Sequence, residues 1–61
     1  MNKEEARFTE MMEYQESVFL AVLPVIVEKY ERLHGGAVIV GNVVSKAQEY
    51  AIEARQQRFG E

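Results

Sequence analysis

One pair of side chains in this sequence has the spacing of a known metal-ligand motif. Glu31 and His34 are three residues apart and would share one face of a helix. Such a Glu-x-x-His pair, completed by a glutamate from another helix, holds iron in di-iron helical bundles, and Glu49 or Glu53 would be that glutamate. Helical phase places these carboxylates on polar faces that do not converge. We therefore expect His34 to favour a helix C-terminus through the dipole, and a metal-binding bundle ranks third among our interpretations.

Other residues that could act in catalysis or phosphate binding lack the neighbouring groups that these functions require. Ser17, Thr9 and the tyrosines have no base nearby in the sequence to activate them as nucleophiles. The glycines at 35, 36 and 41 lack the spacing of a phosphate-binding loop and the Lys-Ser/Thr pair that would follow it. The sequence thus predicts no enzyme and no cofactor.

A continuous apolar segment, residues 18–27, stands out in a chain otherwise rich in Glu, Arg and Gln. On a helix, ten such residues leave no polar face, so the segment must be covered on more than one side. It is shorter than the roughly 20 residues that cross a bilayer, and Glu28 follows it at once. We therefore predict self-association and no membrane partner.

Size and charge narrow the class of protein. A chain of 61 residues buries only about 60% of its unfolded surface, and this one has no cysteine to form a stabilising disulfide. Oligomerisation is the remaining route to stability. The net charge is −3, and five glutamates lie within the first sixteen residues. This acidity argues against direct nucleic-acid binding, and the charged residues 1–5 favour a cytoplasmic location.

The first predicted helix covers about residues 3–33. Asn2 is placed to accept a hydrogen bond from the amide of Glu5 and so to begin the helix. Pro24 should kink this helix, because no turn-forming residue nearby would split it into two. Apolar residues at spacings of three, four and seven form its main stripe. They are Phe8, Met11, Met12, Val18, Phe19, Val22, Ile26 and Leu33.

A second apolar patch interrupts the polar side of this helix. It consists of Leu20, Pro24 and Val27, which are spaced by four and three residues. The helix would then have two apolar sides at mid-length. The excess apolar surface must be covered by another chain.

The second predicted helix covers about residues 38–58. Gly35 and Gly36 should end the first helix. Residues 37–41 fit either an extended segment, with Gly41-Asn42 as a turn and Asn42 as the N-cap of a helix over 43–58, or the start of a longer helix. The helical stripe is dominated by alanine, so another helix can approach closely. Its members are Ala37, Val40, Val44, Ala47, Ala51 and Ala54.

In length and outline the chain resembles the Rop family of plasmid RNA-binding proteins. Short matches lie at both ends, Met1-Asn2-Lys3 and Arg58-Phe59-Gly60. The resemblance implies a two-helix hairpin that dimerises as a four-helix bundle. It does not extend to RNA binding, because Glu10 and Glu13 occupy the first-helix face on which the family carries polar and basic residues.

The expectation is therefore a single all-α domain, a helical hairpin that forms a homodimeric four-helix bundle and binds another protein. Small size and absent chemistry are typical of modulators encoded by phages and mobile elements. The alternative is a structural assembly subunit with no separate ligand. The candidate partner-binding residues are Glu10, Glu13, Glu16, Leu20, Pro24 and Val27. The candidate oligomer core consists of Phe8, Met12, Phe19, Val22, Ile26, Ala47 and Ala51.

Overall fold

A computed structural model describes residues 2–34 and 40–60, apart from the side chain of His34. Two helices make up this part of the chain: α1 (Lys3–His34) and α2 (Val40–Phe59). They pack against each other in antiparallel orientation, because Arg7 contacts Phe59 whereas Leu23 and Val27 share a groove with Val44. The predicted all-α helical hairpin is confirmed.

The start of α1 is fixed by Asn2. Its side-chain Oδ1 accepts a hydrogen bond from the Glu5 amide at 2.8 Å, and its carbonyl accepts one from the Ala6 amide at 3.0 Å. The first bond satisfies a backbone donor that has no partner within the helix, and the second is the first i→i−4 bond of the helix. The helix then runs through Pro24 as a single element of 32 residues. Both the N-cap and the unbroken helix were predicted.

The side of α1 that faces α2 is half-buried along its length. Five members of the predicted stripe belong to it: Met11, Val18, Phe19, Val22 and Ile26. The stripe is less covered at its ends, where Phe8 is 62% exposed and Leu33 is 67% exposed. One neighbouring helix therefore covers the middle of the stripe in part and leaves both ends accessible.

The start of α2 corrects one sequence-based alternative. Gly41 and Asn42 lie inside the helix, so they form no turn and Asn42 is not its N-cap. A glycine inside a helix costs about 1 kcal/mol, whereas burying a valine contributes about 1.5–3 kcal/mol. The additional helical residues place Val43, which is 3% exposed, one turn before Ala47 on the face that meets α1. Residues 37–39 lie outside the described part of the chain.

The core of the hairpin lies on the alanine face of α2. Ala47 and Ala51 are fully inaccessible to solvent, and Val43 completes the set of buried residues in the described part of the chain. The stripe predicted for this helix is thus correct at both alanines and wrong at Val40, which is 72% exposed. The small side chains let the two helices approach closely.

The end of α2 is set by Gly60, whose φ of 71° lies in the left-handed region. This is the usual conformation of the residue that follows a helix C-terminus. The protein extends over 49 × 19 × 15 Å. Neither of the described helices has a stretch long and apolar enough to cross a membrane.

Candidate interaction surface

Aromatic and basic side chains join the end of α2 to the first half of α1. The rings of Tyr14 and Phe59 meet edge to face, with centroids 5.8 Å apart and planes at 71°. The guanidinium of Arg58 lies 4.9 Å from the centroid of Tyr14 and 5.9 Å from that of Phe59. Arg7 approaches Phe59 from α1, at 6.0 Å. These distances are those of aromatic pairs and cation–π contacts.

Two hydrogen bonds complete this contact, which we call the terminal cluster (Arg7, Tyr14, Gln15, Arg55, Arg58 and Phe59). Arg55 Nη1 donates to Gln15 Oε1 at 2.8 Å in a partly buried position. Arg7 Nη2 donates to the carbonyl oxygen of Phe59 at 3.0 Å, in the last turn of α2 where acceptors lack helical partners. The terminal cluster fixes the register of the two helices. Three of the basic side chains are thereby engaged within the hairpin.

The sequence reasoning did not identify the terminal cluster. Arg55, Arg58 and Phe59 are spaced by three and four residues, as are Arg7, Met11, Tyr14 and Gln15 on α1, so each half of the signal is present. The two halves meet only once the register of the hairpin is known. That register is a property of the two helices together and cannot be read from either helix alone.

An upper groove runs between α1 and α2 near the middle of the hairpin, with a volume of about 370 Å³. Its floor is apolar on the α1 side, where Met12 is 38% exposed and Leu20 is 59% exposed. Glu16 contributes a carboxylate at its edge. The lining residues are Met12, Gln15, Glu16, Phe19, Leu20 and Gln48.

A lower groove of about 250 Å³ lies further along the same pair of helices. Five of its six lining residues are Leu or Val, so it is the more apolar of the two. Its single charged residue is Glu31. The lining residues are Leu23, Val27, Glu31, Val40, Val43 and Val44.

The two grooves form one continuous surface, because their lining residues follow one line on each helix. Residues three or four apart are neighbours on a helix surface. The line on α1 is Glu16, Leu20, Leu23, Val27 and Glu31, and the line on α2 is Val40, Val44 and Gln48. We call this surface the groove face. Its centre is apolar, Glu31 lies toward one end, and Glu16 lies between Met12 and Leu20.

The candidate partner-binding residues divide between the groove face and other surfaces. Glu16, Leu20 and Val27 line the grooves. Pro24 is exposed and lines neither groove. The predicted patch of Leu20, Pro24 and Val27 therefore lies only in part within the grooves. Exposed carboxylates also occur at Glu10 and Glu13, outside both grooves.

The candidate oligomer core divides in a similar way. Ala47 and Ala51 are already buried against α1 within one chain. Phe8 and Met12 are exposed, and Phe19, Val22 and Ile26 are half-buried. The contribution of these residues to an oligomer stays a prediction.

The metal alternative gains no geometric support within the described residues. No group of three or more His, Asp or Glu side chains converges there. Glu31 lies at the lower groove, and Glu49 is exposed on the outer side of α2, 3.4 Å from Lys46. The side chain of His34 lies outside the described part.

Among the described residues, the groove face and the exposed glutamates are the candidate interaction surfaces. Comparison of the chain with protein-family models, with curated proteins and with solved structures finds no match in any of the three.

Proposed function

We propose that this chain is a non-enzymatic interaction protein of the cytoplasm that acts as a homo-oligomer, most simply a dimeric four-helix bundle, and binds another protein. The observation that carries the proposal is the accessible apolar groove face of a hairpin whose own core is small. Binding surfaces of this type are apolar at the centre and polar at the rim, as here. The groove face accounts for self-association.

The exposed glutamates of α1 are the proposed contact with the other protein. Glu10 and Glu13 are three residues apart and solvent-exposed, and Glu16 follows after three more. A row of like charges at this spacing attracts a basic surface and steers its approach. Leu20, Pro24 and Val27 are the second candidate contact.

Two measurements test the proposal. Sedimentation at micromolar concentration should give at least twice 7.0 kDa, and a folded protein of 7.0 kDa would contradict self-association. To test the contact of the glutamates with another protein, the immobilised chain is used to capture a basic partner from the native host. The triple variant Glu10→Gln, Glu13→Gln and Glu16→Gln should lose this partner, while the oligomer persists.

The matched control is the triple variant Glu28→Gln, Glu49→Gln and Glu53→Gln, which removes the same charge from other exposed positions. It should retain the partner. Binding of the wild type should also weaken as salt rises from about 50 to 200 mM, because exposed charges are screened beyond roughly 10 Å. Capture that resists both salt and the first triple variant would assign recognition to the apolar patch. An oligomer that captures nothing would favour the structural assembly subunit.

A further inference from the structure

The core within one hairpin is small. Among the described residues, the buried ones are Val43, Ala47 and Ala51, and no large side chain is fully buried. Most of the apolar side chains of residues 18–27 stay half-buried or exposed. A chain of this size without a cysteine to form a disulfide benefits from a further source of burial.

The solvent-accessible surface area of the chain indicates how much surface a partner would have to bury. The hairpin exposes 4724 Å², whereas a compact monomer of 7.0 kDa exposes about 4,000 Å² by the scaling of surface with mass. The excess is roughly 700 Å², close to the about 800 Å² that each partner buries in a standard interface. One interface of ordinary size would therefore remove the excess.

The distribution of apolar and charged residues on the groove face is that of such an interface. Leu20, Leu23 and Val27 occupy its centre on α1, and the carboxylates of Glu16 and Glu31 flank this apolar stretch. Charge depletion at the centre with polar residues at the rim is the usual arrangement. Exposed side chains such as Leu20 and Val40 would act as knobs, and the grooves beside them as holes.

We infer that the groove face is the surface through which two copies of this chain associate; the inference rests on the self-association proposed above. The occupant is a second copy because the excess surface matches what one partner buries in a standard interface, and because this face carries both the exposed side chains and the grooves that would receive them. A two-fold axis pairs the same face on both copies, so each copy supplies knobs to the grooves of the other.

This assignment separates the two candidate contacts for another protein. Leu20 and Val27 lie on the groove face and become covered by the second copy. Glu10 and Glu13 lie outside the grooves and stay accessible. The dimer then presents the glutamates, and not the apolar patch, to its partner.

Thiol protection tests the assignment directly, since the chain has no cysteine of its own. Leu20→Cys places a thiol on the groove face. Val25→Cys is the matched control, because Val25 is 64% exposed, as Leu20 is 59%, yet lines neither groove. In the dimer, the thiol at position 20 should react with a water-soluble reagent at least about tenfold more slowly than that at 25, each rate being normalised to unfolded protein. Dilution below the dissociation constant should remove the difference.

A pair of charge variants provides an independent readout. Leu20→Lys should weaken dimerisation by about tenfold or more, since it places a charge at the centre of the interface. Val25→Lys should leave the dissociation constant unchanged. Sedimentation equilibrium of both variants gives the two constants.

The possible failures are distinguishable. A folded wild-type monomer of 7.0 kDa would overturn the proposed self-association and this inference with it. A dimer with equal thiol reactivity at positions 20 and 25, whether both are protected or both are free, would overturn the groove face alone. Dissociation by Val25→Lys with an intact Leu20→Lys dimer would place the interface on the opposite side of α1.

Discussion

Tyr14 is the residue that ties the two helices together at the terminal cluster. Its ring contacts Phe59 edge to face and accepts the guanidinium of Arg58 on its surface. Each such contact contributes about 0.5–1.5 kcal/mol beyond simple burial. In a hairpin with so small a core, this contribution is a large share of the stability.

We expect Tyr14→Leu to lower the free energy of unfolding by about 1–2 kcal/mol, because the leucine keeps apolar volume but removes both ring contacts. Urea denaturation followed by circular dichroism measures the change. Tyr50→Leu is the control, since Tyr50 is 56% exposed on α2 and lies outside the terminal cluster. An equal loss in the two variants would show that the terminal cluster adds nothing specific.

Substitution by alanine should change the stability of the protein in opposite directions at two of its glycines. Gly41 is helical and a methyl group there would meet no atom within 4 Å, so Gly41→Ala should stabilise the protein by about 0.5–1 kcal/mol. Gly60 has a φ of 71°, so Gly60→Ala should destabilise it by about 1–2 kcal/mol. Melting temperatures of the two variants report both signs. A loss of stability in Gly41→Ala would restore the turn at Gly41-Asn42.

At the scale of the elements, local signals predicted most of the fold. The N-cap at Asn2, the absence of turn residues around Pro24 and the glycine pair at 35 and 36 together predicted a helix over 3–33, and the helix spans Lys3–His34. The alanine spacing gave the buried face of α2. Gly41, which the sequence left open between a turn and a helix, lies where local preference competes with packing: burying Val43 outweighs the cost of a helical glycine. A prediction made from one segment alone cannot weigh these two contributions, because the burial of Val43 depends on the other helix.

The close approach of α1 and α2 at the alanine face makes a further prediction. Ala51 is fully inaccessible, so Ala51→Leu should overpack the helix interface and cost about 1–3 kcal/mol. Ala21→Leu is the control, because Ala21 is exposed on α1 and should change stability by less than about 0.5 kcal/mol. Chemical denaturation of both variants decides. A neutral Ala51→Leu would mean that the face has room for a larger side chain.

At the scale of the whole molecule, the candidate site was predictable in composition but not in shape. The apolar run 18–27 indicated surplus surface, and Leu20 and Val27, selected from it as candidate partner contacts, line the grooves. The contribution of α2 was not predictable, because Val44 and Gln48 join this surface only in the register that the terminal cluster sets. From the sequence of α1 alone, only the α1 residues of each groove can therefore be predicted.

If folding and dimerisation are coupled, the stability of the protein must depend on its concentration. A tenfold rise in concentration adds about 1.4 kcal/mol of association free energy, which for a dimer of this size should raise the melting temperature by about 5 °C. Leu20→Lys should reduce this dependence, because it weakens the dimer, whereas Val25→Lys should retain it. Calorimetry over two decades of concentration measures the slope. A melting temperature that does not change with concentration would show that the small core of Val43, Ala47 and Ala51, together with the terminal cluster, suffices to hold a single hairpin folded.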